Sequence, residues 1–320
     1  MIPKWLTPAV ASLKAAYAAD RLPHALLIHD SPGAGGDWLA GWAAALALCT
    51  NTAEAPCGRC PGCTRVAANQ HPDLIRLHPI EDSKQLRIEQ VRDLAAELAL
   101  TSHQGGYKVG ILSPADQLNR FAANALLKTL EEPPPRTLLI LVASQPSRLP
   151  ATILSRCQRL RVRTPTRSES LEWLNETHGA GDWAGVLDVL GEAPFLAAAA
   201  DPKAIPALGS ETHRALEDIE TGAADPVVTA ERWSRSEPAL RLRYFENWLT
   251  DRIQRHFGVA AHSVEIRRAA HLPRTPAILN IRGLFELADG VRDLRSSLDV
   301  PINRSLALEV LFRRLASQRK

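Results

Sequence analysis

Ala25-Leu26-Leu27-Ile28-His29-Asp30-Ser31-Pro32-Gly33-Ala34-Gly35-Gly36-Asp37-Trp38 opens on a short apolar run and turns at a cluster of glycines. It then enters an alanine- and leucine-rich segment that continues to Cys49. A short apolar run suits a buried strand, and the segment after the glycines suits a helix. Strand, glycine loop and helix are the context of a phosphate loop. The chemistry of such a loop is missing. In G-x-x-x-x-G-K-[ST] a lysine neutralises phosphates and a hydroxyl ligates magnesium. Aligned on Gly35, the first glycine position holds Asp30, the lysine position Gly36 and the hydroxyl position Asp37. Asp37 places a carboxylate at a helix N-terminus, where it suits the dipole and repels phosphate. The degenerate loop of Gly33, Gly35, Gly36 and Asp37 is therefore expected to bind no nucleotide.

Outward from the loop, two further apolar runs predict strands, Lys108–Leu112 after the turn Gln104-Gly105-Gly106, and 138–143. A nucleotide hydrolase ends the former strand in carboxylates that hold magnesium and polarise water. Here Ser113 and Pro114 stand in those positions, and Asp116, further along, is expected to cap the next helix. That helix places Ala122, Ala125, Leu126, Thr129 and Leu130 on one face and stops at Pro133-Pro134-Pro135. Strands alternating with helices imply a parallel sheet covered on both faces.

Four of the five cysteines fall in Cys49-x7-Cys57-x2-Cys60-x2-Cys63, with Gly58, Pro61 and Gly62 supplying turns. Thiolates at this spacing converge on one ion. A set of four soft ligands favours zinc and leaves no open position, so the expected site is structural. Two disulfides or four free thiols are the alternative, and a reducing compartment argues against the disulfides. His71 and His78 lie close enough in sequence to compete as ligands and read as loop or strand residues. Only Arg59 and Arg65 accompany the knuckle, with no aromatic, a weak signal for nucleic acid.

At 320 residues the chain has room for two or three domains. Its net charge of +3, from 38 basic and 35 acidic residues, is too mild to name a nucleic-acid partner. Pro3 and Pro8 interrupt the first residues, which argues against a signal peptide. The longest apolar stretch, 38–49, is shorter than the roughly 20 residues a bilayer requires. The expected compartment is cytoplasmic.

The segments Asn124-Ala125-Leu126-Leu127-Lys128-Thr129-Leu130-Glu131-Glu132-Pro133-Pro134 and Leu149-Pro150-Ala151-Thr152-Ile153-Leu154-Ser155-Arg156-Cys157-Gln158, with the cysteine knuckle and Arg21-Leu22-Pro23-His24-Ala25-Leu26, resemble bacterial clamp-loader subunits of the AAA+ superfamily. The likeness is strong over residues 1–165 and collinear beyond. It implies an α/β AAA+-like parallel-sheet domain with a zinc knuckle over 1–165, a small helical lid over 166–204 and an all-α collar used for oligomerisation over 205–320. It also implies a trans-acting arginine. In the family, the arginine of the Ser-Arg-Cys motif reaches ATP on the neighbouring subunit, and here that residue is Arg156, beside Ser155. A guanidinium suits the task because its charge is permanent and its fork matches phosphate oxygens. Arg159, Arg161 and Arg163 alternate with Leu160 and Val162, the pattern of a strand with a solvated face. The implied partners are gamma and tau ATPase subunits, a delta subunit and, through the complex, a sliding clamp and primed DNA. The implied cofactor is structural zinc, without ATP.

After a boundary near 164–169, with a helix cap expected at Ser168 or Ser170, residues 167–176, 182–190 and 193–200 read as three short helices. Active family members carry a nucleotide-sensing arginine in this region, and Pro194 takes its place here. Residues 201–206 read as a linker. Leu242, Phe245, Leu249 and Ile253 form one helical stripe, and Leu284, Leu287, Val291, Leu294 and Leu298 a second. A final helix is expected over 302–315. His256 and His262 are isolated. Two rival readings remain, a working AAA+ ATPase with an unusual loop and a zinc-dependent nucleic-acid-binding module.

Overall fold

The computed structural model describes residues 1–80, 85–257, 281–298 and 300–317, so His262 lies outside the described residues. The chain divides into two compact units, Met1–Pro165 and Thr166–Lys320.

The first unit is built on a five-stranded parallel sheet. The strands are β1 (Ala25–His29), β2 (Leu74–Leu77), β3 (Lys108–Leu112), β4 (Thr137–Ala143) and β5 (Gln158–Arg161), in the order β2-β3-β4-β1-β5. β1 pairs with β4 in the register Ala25↔Leu139 to His29↔Ala143 and with β5 from Leu26↔Gln158. The central strands β3 and β4 are buried at every position, as expected when helices cover both faces of a parallel sheet. β2 was not apparent from the sequence. It is a four-residue edge strand, half-buried throughout, and so lacks the continuous apolar run that marks its neighbours.

Helices α1 (Thr7–Ala18), α2 (Gly36–Ala47), α3 (Pro61–Ala67), α4 (Ile88–Ala99), α5 (Arg120–Glu131) and α6 (Ala151–Leu154) complete this unit. Leu94 and Leu98 of α4 and Leu126 and Leu130 of α5 share one core with Leu27, Leu139 and Leu141 of the sheet. Pro8 sits in the first turn of α1, where the missing N–H costs nothing. β1 has β4 on one side and β5 on the other, and the loop after β1 leaves the carboxyl ends of the strands. That is where open α/β sheets hold ligands.

The second unit is all helix among its described residues. The first three helices are Arg167–His178, Trp183–Leu190 and Pro194–Ala198. Thr166 caps the first, accepting the Glu169 N–H while the Glu169 carboxylate accepts the Thr166 N–H. The cap is thus neither Ser168 nor Ser170. Thr166-x-x-Glu169 is the capping-box signature, and it was present in the sequence. The expected linker is shorter than 201–206, because the helix Ala204–Thr221 begins inside it and takes Pro206 into its first turn.

Helices Pro226–Arg235, Pro238–His256, Ile281–Ser296 and Arg304–Ser317 follow. Leu242, Phe245 and Leu249 are buried, as are Leu284, Leu287, Val291, Leu294 and Leu298, while Ile253 is half-buried. The two stripes therefore serve the core of this unit. Trp233 meets Phe312 edge-on at 4.9 Å between ring centroids, with Phe245 against both. No helix among the described residues is long and apolar enough to cross a membrane.

Candidate functional site

Three groups in the first unit carry chemistry: the cysteine cluster, the loop after β1 and the Ser-Arg-Cys segment before β5.

The cysteine cluster joins the end of α2 to α3. Cys49 follows the last turn of α2, and Cys57 and Cys60 lie on the turn that leads into α3, which carries Cys63. Gly58 has a φ of +72°, a conformation that favours glycine. Gly62 packs so tightly on the preceding helix that a Cβ there would collide with the Leu48 carbonyl oxygen. The four sulfur atoms lie within 4.8 Å of one another, and Cys49 Sγ is 3.8 Å from Cys60 Sγ. That spacing is far beyond the ~2.05 Å of a disulfide. It matches the edge of about 3.8 Å that a tetrahedron acquires from metal–sulfur bonds of ~2.3 Å.

The electrostatics of the cluster are divided. Burial pushes the Cys63 thiol up to about 12. Although burial opposes it, hydrogen bonds from Thr50 and from the Cys63 amide bring Cys60 down to about 5. The four cysteines can hold a metal ion. His71 and His78 have other partners. His71 Nδ1 accepts the Asp73 N–H at 3.1 Å, and His78 Nδ1 pairs with the Ser113 carbonyl at 2.8 Å.

In the loop after β1, Gly35 adopts a φ of +116° and α2 starts at Gly36. Asp30 is 7% exposed, and its Oδ2 accepts the Gly36 N–H at 2.7 Å. Burial pushes this carboxyl up to about 6. The Gly36 amide works against the rise and the charge of Asp37 adds to it. Asp37 Oδ1 accepts the Ser113 hydroxyl at 2.5 Å. The residues that stand in the hydroxyl and acidic positions of a phosphate-loop site thus bind each other. Asp116 does not cap α5, as its place in the sequence suggested. Its Oδ2 accepts the Ser144 hydroxyl and the Gln145 N–H beyond β4, at 2.9 and 2.8 Å, and Asn119 caps α5. Asp116 lies in a short turn whose direction the sequence does not specify, whereas Asn119 is a preferred capping type immediately ahead of the helix.

Arg156 emerges just after α6. Its Nη2 pairs with Glu131 Oε1 of α5 at 2.8 Å. Nη1 donates to the Thr152 carbonyl at 3.0 Å and to the Ser155 hydroxyl at 3.3 Å. The side chain remains 35% exposed, so the guanidinium is oriented and still reachable. Among the described residues none of its hydrogen bonds reaches the loop over 30–37. Cys157 is buried, while Arg159, Arg161 and Arg163 are exposed, as their alternation predicts. Glu131 is the contact that sequence reading missed. It belongs to the Leu-Glu-Glu-Pro segment, whose regularity was visible but whose partner depends on the fold.

In the second unit, Pro194 is buried and opens a helix. Arg167 of the same unit reaches Asp188 at 2.6 Å and Glu192 at 3.4 Å. These residues border a cavity of about 200 Å³ with Asn247 and Asp251. A cation facing two carboxylates is satisfied internally, and the sequence carried no signal for this pairing.

The profile of a family described as DNA polymerase III, delta subunit, matches residues 5–166. The DNA polymerase III subunit delta' of Pseudomonas aeruginosa is 47% identical over 152 residues, which cover 47% of this chain and 46% of that protein. The DNA polymerase III subunit delta' of Escherichia coli is 33% identical over 263 residues, covering 80% of this chain and 77% of its own. The DNA polymerase III subunit tau of Escherichia coli is 33% identical over 163 residues, 49% of this chain and 25% of that protein. The match thus spans about half the length of the Pseudomonas relative and over three quarters of the Escherichia coli delta' protein.

Proposed function

This chain belongs to the family of DNA polymerase III delta' subunits, and from that membership we propose that it is a non-catalytic subunit of a replicative clamp loader. In this reading it helps load a sliding clamp onto primed DNA beside gamma or tau ATPase subunits and a delta subunit. It holds no ATP. Its chemical contribution is Arg156, offered with Ser155 to ATP on a neighbouring subunit.

The observation that carries this reading is the loop after β1. A triphosphate carries several negative charges and needs cations at its β- and γ-phosphates. Here the lysine position is Gly36, the hydroxyl position is Asp37, and Asp37 is already bonded to Ser113. A loop with carboxylates and no cation repels what a phosphate loop binds. Arg156 has the opposite properties. It carries a fixed charge, is held by Glu131, Thr152 and Ser155, and stays partly open to solvent. An arginine acting in trans stabilises charge on the transferring phosphoryl group without its own subunit binding nucleotide.

The bound metal in this reading is zinc, held by Cys49, Cys57, Cys60 and Cys63. Four thiolates leave no position for water or substrate, so the ion supplies stability and no catalysis. Residues 166–204 act as a lid and residues 205–320 as a collar. Phe285, Leu306 and Val310 are exposed apolar residues of the collar, and we assign them to contacts with neighbouring subunits.

Calorimetry of the isolated chain with ATP and magnesium tests the loop. The expected result is no binding at micromolar nucleotide. A micromolar dissociation constant would favour a working ATPase instead.

A further inference from the structure

Asp30 lies against the N-terminus of the helix that follows the loop after β1. The phosphate-loop pattern begins with a glycine, and here that position is Asp30. Three observations concern it. Its Oδ2 accepts the Gly36 N–H at 2.7 Å, at the first residue of a twelve-residue helix. The side chain is 7% exposed, and Oδ1 is buried with no hydrogen-bond partner among the described residues. A Cβ placed on Gly36 would lie 2.6 Å from Asp30 Cβ, 2.7 Å from Oδ2 and 2.8 Å from Cγ. A carboxylate in this pose and a side chain at position 36 exclude each other. Position 36 is where the pattern has its lysine.

The exposed amides at a helix N-terminus, backed by the dipole, are the groups that grip a phosphate oxygen. A carboxylate oxygen has the same charge sign and the same acceptor chemistry. Asp37 accepts the Ser113 hydroxyl.

We infer that Asp30 is a resident anion, standing in for a phosphate on the Gly36 amide and, by filling the space of a side chain at 36, excluding the lysine. The loop is occupied, not vacated. Reversing both residues then reopens a site for phosphate. This inference rests on the reading of the loop as one that binds no nucleotide, and its test separates the two.

The test is a double-mutant cycle in the full chain: wild type, Asp30→Gly, Gly36→Lys and the pair together. Urea unfolding reads the exclusion, and calorimetry with inorganic phosphate and with magnesium ADP reads the site. Gly36→Lys should lower the unfolding midpoint, and adding Asp30→Gly should recover most of the loss. The double variant should bind phosphate at least about tenfold tighter than wild type, a difference set by one added charge and one removed. Gly36→Lys as stable as wild type, or a double variant that binds phosphate no better than wild type, would overturn the resident anion alone. Magnesium ADP binding by the wild-type chain would overturn the no-nucleotide reading and the inference with it. If Gly36→Lys does not fold, Asp30→Gly carries the test. Phosphate should then shift the Gly36 amide resonance in that variant and not in wild type, and an unmoved resonance overturns the inference.

Discussion

Asp30 shows how one side chain joins structure to charge. Its carboxyl is 7% exposed and is pushed by burial from 3.8 to about 6. The folded chain thus holds the proton more tightly than the unfolded chain does. The stabilising contribution of the protonated group is complete below about pH 4 and is lost as pH rises through about 6. The amide of an Asp30→Asn variant does not titrate. In urea unfolding between pH 4 and 7, wild type should gain stability relative to Asp30→Asn as pH falls, and parallel curves would contradict the buried carboxyl. The sequence identified position 30 as a departure from the phosphate-loop pattern. It did not reveal what the carboxylate touches, because the contact with Gly36 exists only once the loop closes on α2. Arg156 divides the same way. The Ser-Arg-Cys motif was legible, while Glu131, 25 residues earlier in the chain, was not.

Among the elements, the sheet was the most legible. Long buried runs predicted β1, β3 and β4 nearly to the residue, since both faces of each strand are covered. Edge strand β2 escaped because half-buried positions carry no such run. That four cysteines could converge on one ion was legible from spacing alone. Helix α3 has seven residues, too few to be stable without external support. Chelation, or Cys60→Ser, should therefore abolish zinc binding and remove amide-exchange protection from α3 and the last turn of α2, leaving β3 and β4 protected. Retained protection in α3 after metal removal would rule out a structural ion. In the second unit, Thr166→Ala removes the reciprocal cap of the helix Arg167–His178 and should cost about 1 kcal/mol. Chemical denaturation of that variant measures the loss, and an unchanged midpoint would show the cap to be dispensable.

At the scale of the whole molecule, the chain has two compact units. The helical stripes beyond residue 204 were legible as stripes. The fold shows that they fill the core of the second unit, which periodicity alone does not decide. In the proposed function, a loop with no cation at its lysine position is paired with an arginine that is oriented and partly exposed. The proposed role of Arg156 belongs to the assembly, because the ATP it would reach lies on another subunit. The direct measurement is DNA-stimulated ATP turnover by a clamp loader reconstituted with gamma or tau and delta subunits, comparing wild type with Arg156→Ala. The variant chain should keep its metal, its unfolding midpoint and its place in the complex. Turnover should fall at least about a hundredfold at the adjoining site, the scale of an arginine finger being ~10³ or more. Unchanged turnover at that site, in a complex that still assembles, would contradict the account.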